Sequence, residues 1–133
     1  MMLNLSKIMA EKIYVRLDVD NAGDGIELAL LKSDYENAQN LHDKIQINVN
    51  LALKYIQKKD SVTVLMKGCD DILFSIDRNN YDLKFLEKLS REFKLRSGIS
   101  LSIGVGTSLV ECIMNLKVAK LSGKDKIVEN VKS

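Results

Sequence analysis

The stretch Val64 to Phe74 constrains this chain more than any other. Apolar residues alternate on both sides of a tight acidic turn, Gly68-Cys69-Asp70-Asp71. Val64 and Met66 fall on one face of an incoming strand, and Ile72, Phe74 and Ile76 on one face of an outgoing one. That pattern predicts a β-hairpin. Gly68 is read as the source of the backbone freedom the turn needs. Aspartate is common in solvated turns, but two adjacent carboxylates repel. A second acidic strand end gives them a meaning. Ile13, Val15, Leu17 and Val19 alternate with Tyr14, Arg16 and Asp18, and the run ends in the polar loop Asp18-Val19-Asp20-Asn21-Ala22-Gly23-Asp24-Gly25. This is a strand with one buried face.

Between these landmarks the apolar spacing changes from two to three and four. Helical character is expected from Ile26 to about Lys32. A long helix capped by Ser33 or Asp34 follows, with Ala38, Leu41, Ile45, Val49, Ala52 and Ile56 as its stripe. Ile47, Leu51 and Leu53 lie off that stripe and either widen the core contact or mark a subunit interface. His42 lies beside the stripe and is assigned no chemistry. A third helix is expected over about 81–93, with Leu83, Leu86, Leu89 and Phe93 inward. Ile99, Leu101, Ile103 and Val105 alternate with Ser100, Ser102 and Gly104 as a fourth strand. Ser108 and Glu111 are spaced as a capping box for a last helix to about Leu121, Gly123 stops it, and Lys126-Ile127-Val128 reads as a short edge strand.

The order contains a βαββαβ unit, so the expected fold is α+β, a ferredoxin-like palm with an antiparallel sheet and helices on one face. One such domain accounts for residues 1–133. A right-handed crossover leaves the first two strands parallel, and the third inserts between them, antiparallel to both. The end of the first strand then lies beside the hairpin turn. Asp18, Asp70 and Asp71 are thereby expected on one edge of the sheet. Unneutralised, such a cluster raises its own pKa values. A divalent cation resolves the conflict, and hard oxygen donors suit Mg²⁺ or Mn²⁺. Carboxylates at strand ends holding such ions are the machinery of phosphoryl and nucleotidyl transfer. The alternative of an EF-hand calcium loop starting at Asp18 fails on Ala22 and Ala29 at ligand positions and on the preceding strand.

Composition removes other classes. A net charge of +2 does not argue for a nucleic-acid or anionic-membrane surface. Cys69 and Cys112 are the only cysteines and lack zinc-site spacing, which fits a reducing compartment. No apolar run reaches the roughly 20 residues that span a bilayer. Met1 to Ala10 is too short and mixed for a signal peptide, so the cytoplasm is expected.

Three motifs in this order resemble a known group. Leu17-Asp18-Val19-Asp20 before a loop, Gly68-Cys69-Asp70-Asp71 in a hairpin, and Ser102-Ile103-Gly104-Val105 before a helix ending Ala119-Lys120-x-x-Gly123-Lys124 resemble GGDEF-type nucleotide cyclases. They are more similar still to the palm of the large subunit of type III CRISPR effectors, and a chain this short most resembles the minimal CRISPR polymerases. The resemblance spans about residues 12–128. It implies catalytic and metal roles for Asp18, Asp70 and Asp71, with the carbonyl of Val19 as a further ligand. It implies nucleotide contacts at Gly68 and Cys69, phosphate contacts at Lys120 and Lys124, and a triphosphate cradle at the amides of Asn21 and Ala22.

The departures are informative. Cys69 replaces a glycine and narrows the space above the turn. Gly23 stands where diguanylate cyclases place a lysine, and Ile26 and Tyr35 occupy their guanine-reading positions. Lys59-Asp60-Ser61-Val62 replaces their inhibitory Arg-x-x-Asp. The resemblance therefore implies an adenine-using relative: a Mg²⁺- or Mn²⁺-dependent enzyme condensing two ATP into a cyclic dinucleotide in antiphage signalling. It implies a homodimer bringing two substrates together and a separate effector sensing the product, with no direct membrane or nucleic-acid binding. The rivals are a palm that binds nucleotide without turnover and a structural ferredoxin-like interaction domain.

Overall fold

The computed structural model describes residues 11–130. The lead-in over residues 1–10, with the signal-peptide reading drawn from it, lies outside the described residues. Strand β1 (Lys12–Val19) leads into α1 (Ala22–Leu31) and the long α2 (Tyr35–Gln57). The hairpin β2 (Thr63–Lys67) and β3 (Asp71–Asp77) follows, then α3 (Leu83–Ser97), β4 (Leu101–Gly106), α4 (Leu109–Leu121) and β5 (Ile127–Val128). The sheet order is β2-β3-β1-β4-β5. β3 lies between β1 and β2 and is antiparallel to both, as the crossover argument requires. β4 is antiparallel to β1, and only β5 is parallel to its neighbour.

The caps explain where the helices begin. Asp34 accepts a hydrogen bond from the Asn37 amide at 3.1 Å, and Ser108 accepts one from the Glu111 amide at 3.1 Å. Asp82 caps α3 through the Lys84 amide, two residues later than the expected start, and Gly98 closes that helix at φ 73°. α1 starts four residues earlier than expected, because Asn21 adopts a left-handed conformation that turns the strand directly into a helix. Its glycines sit within the first turn instead of in a loop.

The main core lies between the sheet and helices α2 and α3. Ile13, Val15, Leu17 and Val19 of β1 meet Phe74 and Ile76 of β3, Leu101 and Ile103 of β4, Ile45, Val49 and Ile56 of α2, and Leu86 and Phe93 of α3. Each such burial contributes roughly 2 kcal/mol before entropy is counted. Leu53 packs against this core, whereas Ile47 and Leu51 face outward. Met66 does not share the inward face with Val64. A register shift between them turns it out, and it is 62% exposed.

α2 and α3 cover one face of the sheet, as expected of the helices. α4 departs from that expectation: it packs on the other face, against β4 and β1, because the strip beneath it is small enough to let a helix lie there. Ser102, Gly104 and Gly106 form the strip beneath it. A Cβ at Gly104 would collide with the Leu116 amide nitrogen and the Cys112 carbonyl oxygen. The helix backbone thus lies directly on the strand. Gly104→Ala is expected to cost about 2 kcal/mol by forcing the two apart, seen as a lower midpoint in urea with the slope unchanged.

Candidate active site

The β1 end is the meeting point. In the strand register Asp18 lies opposite Asp71 on β3 and Ser102 on β4. The Val19 amide donates to the Asp70 carbonyl at 2.9 Å and the Asp20 amide to the Ser100 carbonyl at 2.9 Å, so the loop continues both ladders past the strand end. Asp18, Asp70 and Asp71 share one edge, as the topology predicts. Burial pushes the Asp18 carboxyl above its ordinary range; Lys120 offsets part of this, and the nearby Asp70 and Asp71 charges add to it. Among the described residues, however, no three acids, histidines or cysteines stand close enough to hold an ion together. Asp71 instead pairs with Arg16 at 2.9 Å.

Lys120, in the last turn of α4, reaches across the strand ends. Its Nζ lies 2.8 Å from Asp20 Oδ1, 3.4 Å from Asp18 Oδ1 and 3.4 Å from the Val19 carbonyl. The Gly104 strip makes this reach possible by bringing α4 onto the sheet. Asp18 Oδ1, Asp20 Oδ1 and the Val19 carbonyl oxygen converge on one cation here. Hard oxygen donors of this kind fit Mg²⁺ or Mn²⁺, and Asp70 stands at the same edge of the sheet.

Asp20 was not singled out as a site residue in the sequence, yet it is the hub of this edge. It is 3% exposed. Its Oδ1 accepts from Ser102 at 2.6 Å and from Lys120, and its Oδ2 accepts from Ser100 at 2.6 Å and from the Asp125 amide at 3.0 Å. Burial alone would raise its pKa, but the hydrogen bonds from Lys120, Ser100, Ser102 and Asp125 outweigh it and hold the carboxyl below its ordinary value. The signal was present: Asp18 and Asp20 are two apart at a strand end, as are Ser100 and Ser102 on the neighbouring one.

Lys124 follows Gly123 in the turn after α4, with positive φ, and bonds Asn21 Oδ1. Asn21 precedes α1, which has no side-chain cap. Its backbone carbonyl accepts from the Gly25 amide. The first amides of α1, including that of Ala22, are the unpaired donors every helix start presents. Both lysines thus border the uncapped start of α1, and this is the chemistry of an anion site.

The hairpin tip closes the other side. Gly68 is needed for space and not for a left-handed conformation, since its φ is not positive. A Cβ there would strike Asp71 Oδ1. Gln46 of α2 donates to the Cys69 carbonyl at 2.6 Å and ties the tip to that helix. Between them lies a small recess of about 130 Å³, lined by Ile26, Ile45, Gln46, Cys69 and Asp70, with His42 also at its wall. Ile26 contributes to it, but the exposed Tyr35 does not. A larger cavity of about 350 Å³ between α2 and α3 is remote from the acids.

The cysteines differ sharply. Cys69 is exposed at the tip, whereas Cys112 is buried on the sheet-facing side of α4 and burial pushes its thiol up to about 11. Native protein is expected to release one equivalent of thionitrobenzoate from Ellman's reagent at pH 8, and two after denaturation. Rapid release of two from native protein would mean that α4 does not seal Cys112.

Comparison with known proteins identifies the fold and the family. The chain matches the minimal CRISPR polymerase domain (mCpol) over residues 14–130. No curated protein sequence matches it. Among solved structures, the Csm1-Csm4 cassette in complex with cA4 superposes with a TM-score of 0.68 at 15% identity, covering 88% of this chain and 20% of that one. Csm1 from T. onnurineus gives 0.64 at 18% identity, with the same coverage of 88% and 20%. This chain therefore spans about a fifth of the length of the Csm1 chains it resembles. The active GGEEF domain of a diguanylate cyclase from Vibrio cholerae gives 0.58 at 12% identity, covering 99% of this chain and 90% of that one. At these identities the superpositions speak for the palm fold alone. The match over residues 14–130 speaks for more: the chain belongs to the minimal CRISPR polymerase domain family.

Proposed function

We propose that this chain is a divalent-metal-dependent nucleotidyltransferase that condenses two ATP into a cyclic dinucleotide of the cyclic di-AMP type, releasing pyrophosphate. The observation that carries the reading is Lys120, which joins Asp18, Asp20 and the Val19 carbonyl at one point beside the uncapped start of α1. Asp18, Asp70 and the Val19 carbonyl would hold the ion, with Asp71 beside them. When bound, Mg²⁺ or Mn²⁺ lowers the pKa of an attacking hydroxyl and stabilises developing charge on phosphate. Lys120, Lys124 and the amides at Asn21 and Ala22 bind and orient the triphosphate. Gly68 and Cys69 face the nucleotide at the hairpin, and the recess at Ile26 and Ile45 receives the base.

Adenine is supported by two facts. The recess offers an apolar wall at Ile26. Structures of the Csm1-Csm4 cassette have been solved with one ATP, with pppApApA and with cA3. A homodimer brings two triphosphates face to face, and the outward residues Val110, Met114 and Leu121 of α4 offer it apolar surface. One palm domain over residues 1–133, acting in the cytoplasm in antiphage signalling through a separate effector, completes the proposal. Among the described residues no helix is long and apolar enough to cross a membrane.

The test is incubation of the purified protein with each NTP and Mg²⁺ or Mn²⁺, with products identified by mass spectrometry. A cyclic dinucleotide from ATP alone is the expected result, and nuclease digestion then assigns the linkage. One observation favours a second reading, a palm that binds nucleotide without turnover. Lys120 already pairs with Asp18 and Asp20, and Arg16 with Asp71, leaving Asp70 as the one site acid without an ion pair among the described residues. ATP that binds and stays intact in every reaction would establish that reading instead.

A further inference from the structure

Arg16 is the cation that the proposed chemistry leaves without a task. It lies in the middle of β1, two residues before Asp18 and on the same face. Its strand partners are Leu73 on one side and Gly104 on the other. Its Nη2 lies 2.9 Å from Asp71 Oδ2, and the two side chains are only 30% and 19% exposed. Its Nε is buried without a hydrogen-bond partner among the described residues. A guanidinium with an unpaired buried donor is a poor way to gain stability. It is a good way to hold a carboxylate in one place.

The opposite oxygen of Asp71 is confined as well. Oδ1 lies where a Cβ on Gly68 would be. The Gly68 amide donates to the Asp71 carbonyl at 3.0 Å, closing the turn on the same residue. The carboxylate is thus enclosed by its own hairpin on one side and by Arg16 on the other. Asp70 differs. Its backbone carbonyl accepts from Val19, and its side chain has no hydrogen-bond partner among the described residues and borders the recess.

We propose that the two hairpin acids divide the work: Asp70 is the ion ligand, and Asp71 is a latch. Asp71 and Arg16 together fix the hairpin tip against β1. They thereby set the Asp70 carboxylate beside Asp18. Arg16 is a positioning residue for the ion site and touches neither ion nor nucleotide. This inference rests on the reading of the site as a divalent-ion centre and removes Asp71 from its ligand set.

The experiment is a titration of the full chain with Mn²⁺, free ion being followed by electron paramagnetic resonance, with no nucleotide present. Asp70→Asn is expected to weaken binding about tenfold or more through loss of a ligand. Asp71→Asn keeps an oxygen facing Arg16 and is expected to stay within about threefold of wild type. Arg16→Ala is expected to weaken binding about tenfold by freeing the tip, as removal of an outer partner does. Arg16→Lys, which keeps the charge and fills the space, is expected to recover most of that loss. Circular dichroism confirms folding of each variant, and a variant that does not fold is replaced by Asp71→Ser or Arg16→Gln.

A loss in Asp71→Asn as large as that in Asp70→Asn, and larger than that in Arg16→Ala, overturns the latch, because Asp71 is then a ligand. Unchanged or tighter binding in Arg16→Ala overturns the positioning role. Wild-type protein that binds Mn²⁺ but makes no product overturns the reaction and leaves the latch standing. Wild-type protein that takes up no Mn²⁺ overturns both.

Discussion

Asp18→Asn is expected to lower product formation about a thousandfold, the equivalent of losing about 4 kcal/mol of transition-state stabilisation. The same variant is expected to melt no lower than wild type. Burial and the neighbouring Asp70 and Asp71 charges raise the Asp18 pKa on folding, and Lys120 offsets only part of that. A raised carboxyl pKa means that folding opposes ionisation. Stability is then lost as the pH climbs from the unfolded value to the folded one, and it stays lost at neutral pH. Asparagine removes that charge. Initial rates and a thermal melt on one preparation check both halves. Wild-type turnover would remove Asp18 from the ion site. A large drop in melting temperature would make it a structural residue.

Asp20→Ala is expected to do the reverse. Four donors end on its carboxylate. Alanine leaves Ser100, Ser102 and the Asp125 amide without their acceptor and takes one carboxylate from Lys120. The cost is about 3 kcal/mol, or roughly 10 °C in melting temperature for a domain of this size. Here the folded pKa lies below the unfolded one, so ionised Asp20 supports the fold above its unfolded pKa. That support fades as the pH falls towards the folded value. Two aspartates two positions apart thus carry opposite assignments, set by environment alone. A melting temperature within 3 °C of wild type would show that the hub is not structural.

The strands were legible because β1, β3 and β4 bury one alternating face under α2 and α3, and alternation reports burial directly. The meeting of Asp18 with the hairpin was legible too, since handedness and strand insertion leave little choice. What escaped the sequence depends on contacts, not on period. Ser102, Gly104 and Gly106 read as the plain side of a strand, although small size there is what lets α4 lie on the second face. Gly23 and Gly25 read as loop, although Asn21 makes the turn and leaves them inside α1. Met66 followed the period on paper, and one register shift turned it outward. Asp20 stands in the Leu17-Asp18-Val19-Asp20 motif without a role of its own, because nothing local shows that Ser100, Ser102 and Asp125 converge on it.

The link between Lys120 and Asp18 joins residues 102 positions apart. During synthesis at about 5–20 residues per second, the acidic end of β1 exists for roughly 5–20 s before its counter-charge is made. Lys124 comes later still. A nascent chain that has formed β1 to β4 therefore carries the acids without the lysines that would hold a triphosphate. In the proposed site, nucleotide affinity would therefore belong to the finished domain, and no early folding intermediate could draw on it.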